Sequence, residues 1–178
     1  MRIYFVRHGE TNENVAGRLS GHNEALLTER GAQQAEAARA QIPKDITMIY
    51  SSDLIRCKQT TQILNKDLQL PITYDARLRE RHFGSLTGQS WEEVDPDGSR
   101  RARDMKQDYD YREEGGESVE DVRRRVLACM EDMKKNSKGP VLAVTSAGVI
   151  RLLHHSLNNQ LHEKIHNSSI HEFELEDK

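Results

Sequence analysis

Ile3-Tyr4-Phe5-Val6-Arg7-His8-Gly9-Glu10-Thr11 is a run of four β-prone apolar residues that stops abruptly in charge and a glycine. A short run that is apolar at every position reads as a buried strand. Its polar end then falls at the C-terminal edge of a sheet, where open α/β proteins place their chemistry. Working outward, Thr28 is a plausible N-cap for an alanine-rich helix that runs to Pro43. The pattern recurs: Thr47–Tyr50 reads as a strand, Ser51-Ser52-Asp53 as a turn, and Leu54–Lys66 as a helix that ends before Pro71. A third unit pairs Val141–Thr145 with a helix from Gly148 to Asn159. The final Ile170–Glu176 alternates apolar and charged residues, as an edge strand does. Strands alternating with helices predict a three-layer α/β/α sandwich with a mainly parallel central sheet.

The chain has 178 residues, the size of one domain with a genuine core. Its 29 acidic and 26 basic residues leave a net charge of only -3, without the basic excess of a nucleic-acid binder. Any anion site must therefore be local. Cys57 and Cys129 stand far apart without CxxC spacing, which suits free thiols in a reducing, cytoplasmic setting. The apolar run before Arg7 is too short for a signal-peptide core or a membrane span, so no membrane partner is expected. Residues 80–136 are crowded with charge, hold the one tryptophan, Trp91, and read as an insertion covering one end of the sheet. Within them Ser118 can cap a helix whose Val119, Val122, Val126, Met130 and Met133 share a face.

Arg7-His8-Gly9-Glu10-Thr11, with Asn14 beyond it, resembles the first motif, R-H-G-x-T-x-x-N, of the histidine phosphatase superfamily, the phosphoglycerate mutase-like proteins. The likeness extends in order through Gly21, Leu27–Gly31, Gln34-Ala35, Tyr50–Thr60, Leu78–Gly88 and Gly116-Glu117-Ser118. A phosphomonoester resists nucleophiles because its own oxygens are charged, so catalysis needs cations on those oxygens and a nucleophile held in line. Arg7 and Arg56 can clamp the phosphate, since a guanidinium fork matches its oxygens. The resemblance implies that neutral His8 attacks phosphorus, that Glu80 protonates the leaving oxygen, and that Asn14 bonds the phosphate. It also places Gly21, His22 and Ala147 beside the substrate. It implies no metal and no cofactor. The ligand would be a small phosphomonoester or inorganic phosphate.

Two other motifs compete. His162-Glu163-Lys164-Ile165-His166 fits the H-E-x-x-H of zinc proteases, but Ser169 and Glu172 stand where a third-ligand extension needs glycine and histidine. Ser146 lies on a strand-to-helix turn, as the nucleophile of a serine hydrolase does. Val144 occupies the position where that elbow needs glycine. Cys57 reads as a packed helix thiol.

The resemblance fails at one place. Where the family strand ends in S/T-H-G-G, this chain has Thr145-Ser146-Ala147-Gly148. Ser146 thus stands at the second histidine of the phosphate pocket and offers one neutral, shorter donor. Losing one transition-state donor costs about 10²–10³ in rate. The expected function is a phosphatase acting through phospho-His8, with activity reduced by Ser146. The alternatives are a phosphoglycerate mutase or an impaired protein that still binds phospho-ligands.

Overall fold

The computed structural model describes residues 1–162 and 164–175. Strands β1 (Arg2–Arg7), β2 (Met48–Ser51), β3 (Ile72–Tyr74), β4 (Val141–Thr145) and β5 (Ile170–Glu174) form one sheet in the order β3-β2-β4-β1-β5. The first four are mutually parallel, and β5 lies antiparallel on β1. The alternating strand-helix pattern thus has the parallel outcome expected of it. β3 is an addition to the sequence reading. Three residues, mostly exposed, are too few to show a period, and their pairing with Ile49–Ser51 is what makes them a strand.

The α-helices are α1 (Asn12–Val15), α2 (Glu29–Arg39), α3 (Ile55–Leu64), α4 (Trp91–Val94), α5 (Ser99–Met105), α6 (Val119–Asn136) and α7 (Ala147–Asn158), with short 3-10 turns at Ala76–Leu78, Gly84–Leu86 and Arg112–Glu114. Successive strand residues point to opposite faces, and the core divides accordingly. Ile3, Phe5, Val141 and Ala143 pack with α6 and α7, whereas Tyr4, Val6, Leu142 and Val144 pack with α2 and α3. β1 and β4 are therefore apolar at every position because both faces are covered.

Local chemistry starts the helices where the sequence places them. Thr28 Oγ1 accepts from Gly31 N at 3.0 Å, and Ser118 with Asp121 forms a reciprocal capping box at the head of α6. Val122, Val126, Met130 and Met133 are buried, and Val119 is partly so. Residues 80–136 consequently have two characters. α6 is a layer of the sandwich, packed on the sheet, while α4 and α5 lie over the C-terminal edge of the strands. Among the described residues no helix is long and apolar enough to cross a membrane.

Candidate active site

β1 and β4 are neighbours in the sheet, so their C-terminal ends deliver Arg7-His8 and Ser146-Ala147 side by side. The ladder continues past the strands, with His8 N donating to Thr145 O at 3.0 Å and Ser52 N to Val144 O at 2.9 Å. A cavity of about 120 Å³ opens there, lined by Arg7, His8, Asn14, Gly21, Arg56, Glu80 and Ala147, with Arg18, Leu19, Ser20, Arg81, Phe83 and Trp91.

His8 is buried, and its Nδ1 lies 2.7 Å from Gly9 O. A carbonyl oxygen only accepts, so the proton sits on Nδ1 and the Nε2 lone pair is free. Burial, then Arg56 and Arg7, hold the His8 pKa well below the usual value. The imidazole is thus neutral at physiological pH, the form a nucleophile needs.

Arg7 Nη1 donates to Ile165 O at 2.5 Å; Arg56 donates to Gly21 O at 2.6 Å and Asn23 O at 2.7 Å. Both side chains are fixed by hydrogen bonds to backbone carbonyls, with Glu80 as a nearby carboxylate that neither of them hydrogen-bonds. The Nε atoms of Arg7 and Arg56 are buried without a partner. A buried donor left unmade costs about 1–3 kcal/mol, which an arriving phosphate oxygen would recover. Burial brings the Arg7 pKa down to about 10, still cationic at neutral pH.

Glu80 accepts from Arg81 N at 2.9 Å, Arg81 Nη1 at 3.2 Å and Gly148 N, on the first turn of α7, at 3.0 Å. Burial pulls its pKa up, but Arg81, these two N–H groups and Arg56 outweigh it and hold the carboxyl below the usual range. Arg81 is anchored in turn by Asp104 at 2.6 Å, and Asp104 accepts from Tyr111 OH at 2.7 Å. Gly148 has no side chain for a reason: a Cβ there would lie 2.1 Å from Glu80 Oε1.

Asn14 Oδ1 accepts from Thr11 N at 3.1 Å and from Asn167 Nδ2 at 3.2 Å. Both contacts use the carbonyl oxygen, which leaves the Asn14 NH₂ for the cavity. Asn167 also donates to His8 O at 3.2 Å. Asn167, Arg81 and Asp104 were not singled out by the sequence reading. Arg81 follows Glu80 directly and was accessible to it; Asn167 comes from the far end of the chain and carried no signal.

Two expected site residues are placed differently. His22 does not line the cavity; its Nε2 donates to the Glu80 backbone carbonyl at 2.7 Å and its ring packs edge-on to His82. Ser146 is buried, with its Oγ unpartnered, and Ala147 lines the cavity in its stead. Serine at the head of α7 makes no side-chain cap. It neighbours Cys57, whose thiol is pushed up to about 11 by burial and is therefore inert at neutral pH. Both cysteines are free and buried.

His162 and His166 lie in the connection between α7 and β5, not on a helix, and Glu163 lies outside the described residues. The His162 ring packs against His154 with 3.9 Å between centroids and a 36° tilt between the ring planes. Among the described residues no group of three or more His, Cys, Asp or Glu is placed to hold a metal ion.

Residues 3–178 match the model of the histidine phosphatase superfamily, branch 1. The chain is 34% identical to phosphoglycerate mutase-like protein 4 of Arabidopsis thaliana, over 98% of this chain and 80% of that protein. It is 36% identical to a metal-independent phosphoserine phosphatase of the same plant, over 85% of this chain and 66% of that protein. Among solved structures, a mycobacterial glucosyl-3-phosphoglycerate phosphatase in complex with VO3 superposes with a TM-score of 0.84 at 29% identity, covering 96% of this chain and 91% of that one.

Proposed function

The chain belongs to the histidine phosphatase superfamily, and from that premise we propose that it hydrolyses small phosphomonoesters through a phospho-His8 intermediate. The observation that carries the reading is the His8 ring, held neutral with Nε2 free in a cavity shared with Arg7, Arg56 and Glu80. Phosphate oxygens bind Arg7, Arg56 and the Asn14 amide. His8 Nε2 then forms a bond to phosphorus as the ester P–O bond breaks, and Glu80 gives its proton to the departing oxygen. The arginine field holds Glu80 ionised; a phosphoryl dianion beside it offsets that field and raises its pKa, so that Glu80 takes up from solvent the proton it donates. The phosphorylated imidazole is positive, and its Nδ1–H still points at Gly9 O, which stabilises that charge. Water next attacks phosphorus while Glu80 takes the proton. Inorganic phosphate leaves and neutral His8 returns.

A cytoplasmic location fits the two free, buried thiols. Phosphate release from an aryl phosphate, beside a His8→Ala control, tests the reaction. The expected result is release with the parent chain, acid-stripped label on His8, and neither with the variant. Equal release from both would overturn the mechanism. Interconversion of 3- and 2-phosphoglycerate in place of release would establish the mutase alternative, and tight phosphate binding without turnover the binding-protein one.

A further inference from the structure

We infer that Arg125, on α6, is a positioning residue of the reaction, because its guanidinium seats the stretch of backbone that carries the proton donor Glu80; this rests on the phosphatase reading above. Residues 79–83 follow the 3-10 turn at Ala76–Leu78 and belong to no helix or strand. Their carbonyls have no ladder to join, so their partners must come from elsewhere in the fold. Side chains supply them. Arg125 Nη1 donates to Arg77 O and to Arg79 O, each at 2.7 Å, and Arg125 Nη2 donates to Glu80 O at 3.0 Å. Thr145 Oγ1, at the end of β4, donates to Leu78 O at 2.6 Å, and His22 Nε2 donates to Glu80 O at 2.7 Å. The successive carbonyls of residues 77 to 80 are thus all held by side chains, and Arg125 alone holds three of the four.

Arg125 differs from the two arginines before it. Arg123 and Arg124 pair with Glu120 and Asp121 of their own helix, an arrangement of solvated charge that contributes little. Arg125 lies three residues after Val122 and four before Cys129, both fully buried, so it shares the side of α6 that faces the interior. Its other donors make a two-point pair with Glu117, Nε to Oε1 at 2.8 Å and Nη2 to Oε2 at 2.9 Å. All the N–H groups of the guanidinium are thereby used. Glu117 Oε2 also accepts from His82 N at 2.8 Å, so the pair grips the chain on both sides of Glu80. Because Glu117 matches its charge, Arg125 acts on Glu80 through position and not through its field. Lysine would keep the charge and the pairing, but a single nitrogen on a flexible stem cannot reach three carbonyls and Glu117 together. A proton donor works only within hydrogen-bond reach of the leaving oxygen, and a misplacement of about 1 Å can cost 10²-fold in rate.

The test compares Arg125→Lys with the parent chain on an alkyl phosphate and on an aryl phosphate whose leaving group needs no proton. kcat/KM covers the steps up to departure of the alcohol, so the later attack of water, in which Glu80 also serves, does not enter it. The expected result is that the alkyl-to-aryl ratio of kcat/KM falls about tenfold in the variant, which corresponds to about 1.4 kcal/mol, while the Kd of inorganic phosphate stays that of the parent. The ratio is internal to each preparation, so partial unfolding of the variant does not alter it. A merely structural arginine would lower Tm and leave the ratio where it was, and that result overturns the inference. Should Arg125→Lys fail to fold, Glu117→Gln, which removes the charge that aims the guanidinium, is expected to lower the ratio in the same direction, and a ratio equal to the parent's overturns the inference. A second measurement needs no turnover: the Gly148 amide donates to Glu80 Oε2 at 3.0 Å and so reports where the carboxylate sits. Its NMR proton resonance should move upfield in the variant as that bond lengthens, and an unmoved resonance overturns the inference. If the parent hydrolyses no ester at all, the phosphatase reading fails separately, and the Gly148 resonance alone decides whether Arg125 seats Glu80.

Discussion

At the scale of single residues, the hydrogen bond from His8 Nδ1 to Gly9 O fixes which nitrogen can react. Ser146 is the counterpart: a hydroxyl buried beside the Cys57 thiol, with no oxygen or nitrogen partner, at the position where the family resemblance expects a second imidazole. A serine hydroxyl offers one neutral donor of shorter reach than an imidazole, and Ser146 is not among the residues that line the cavity. Ser146→His is therefore expected to raise kcat on an aryl phosphate by about 10²-fold, the low end of the usual worth of one such donor. An unchanged rate, measured alongside an unchanged phosphate Kd, would show that the pocket is completed by another group. Arg7, His8, Asn14, Arg56 and Glu80, which line one cavity, were all named from the sequence through motifs that resemble the family's. Asn167 was not, because a lone asparagine acquires its role only by meeting Asn14 and the His8 carbonyl in space.

At the scale of elements, α7 does more than close a layer. Its first turn seats Glu80 through the Gly148 N–H, and the absence of a Cβ at Gly148 makes room for the carboxylate and for Arg81. Both would be displaced by one methyl group, since the nearest Arg81 nitrogen would lie 1.9 Å from it. Gly148→Ala should consequently lower kcat on alkyl phosphates by about 10²-fold, the scale of general-acid catalysis, and much less on aryl phosphates whose leaving group needs no proton. Equal losses on the two substrate types would point to collapse of the fold in place of a displaced acid. Helix positions were readable because caps and apolar spacing are local signals, as Thr28 and Ser118 illustrate. The character of residues 80–136 was less so. Charge density marked the whole stretch as cover, whereas the buried stripe of α6 makes that helix part of the core.

For the whole molecule, several histidines sit inside the fold in neutral form. Burial, then His162 and His171, bring His154 down to about 4, and burial likewise lowers His8, His22 and His171. Each is lowered in the native state, so between about pH 4 and 6.5 the unfolded chain binds more protons. Stability is then fully present above about pH 7 and falls as the pH drops through that window. Glu80, also lowered, adds a further loss below its ordinary value of 4.5. Thermal midpoints at pH 8, 6.5 and 5 should decline in that order, and His154→Gln should flatten the decline. A flat profile in the parent chain would contradict the burial of these rings.

The sequence by itself determined the layers and named the candidate reacting groups. Uninterrupted apolar runs state that a strand is covered on both faces, and the Arg-His motif with the ordered motifs after it points to the family, because both are encoded in neighbours along the chain. Periodicity names a face, though, and not the partner that covers it. Only the tertiary structure decided that β4 lies between β1 and β2, which brings Arg7, Arg56 and Glu80 from distant parts of the chain into one cavity. It likewise decided that Ser146 is buried outside the lining of that cavity while Ala147 lines it. Such placements depend on crossovers and long-range packing, which no local window of sequence contains.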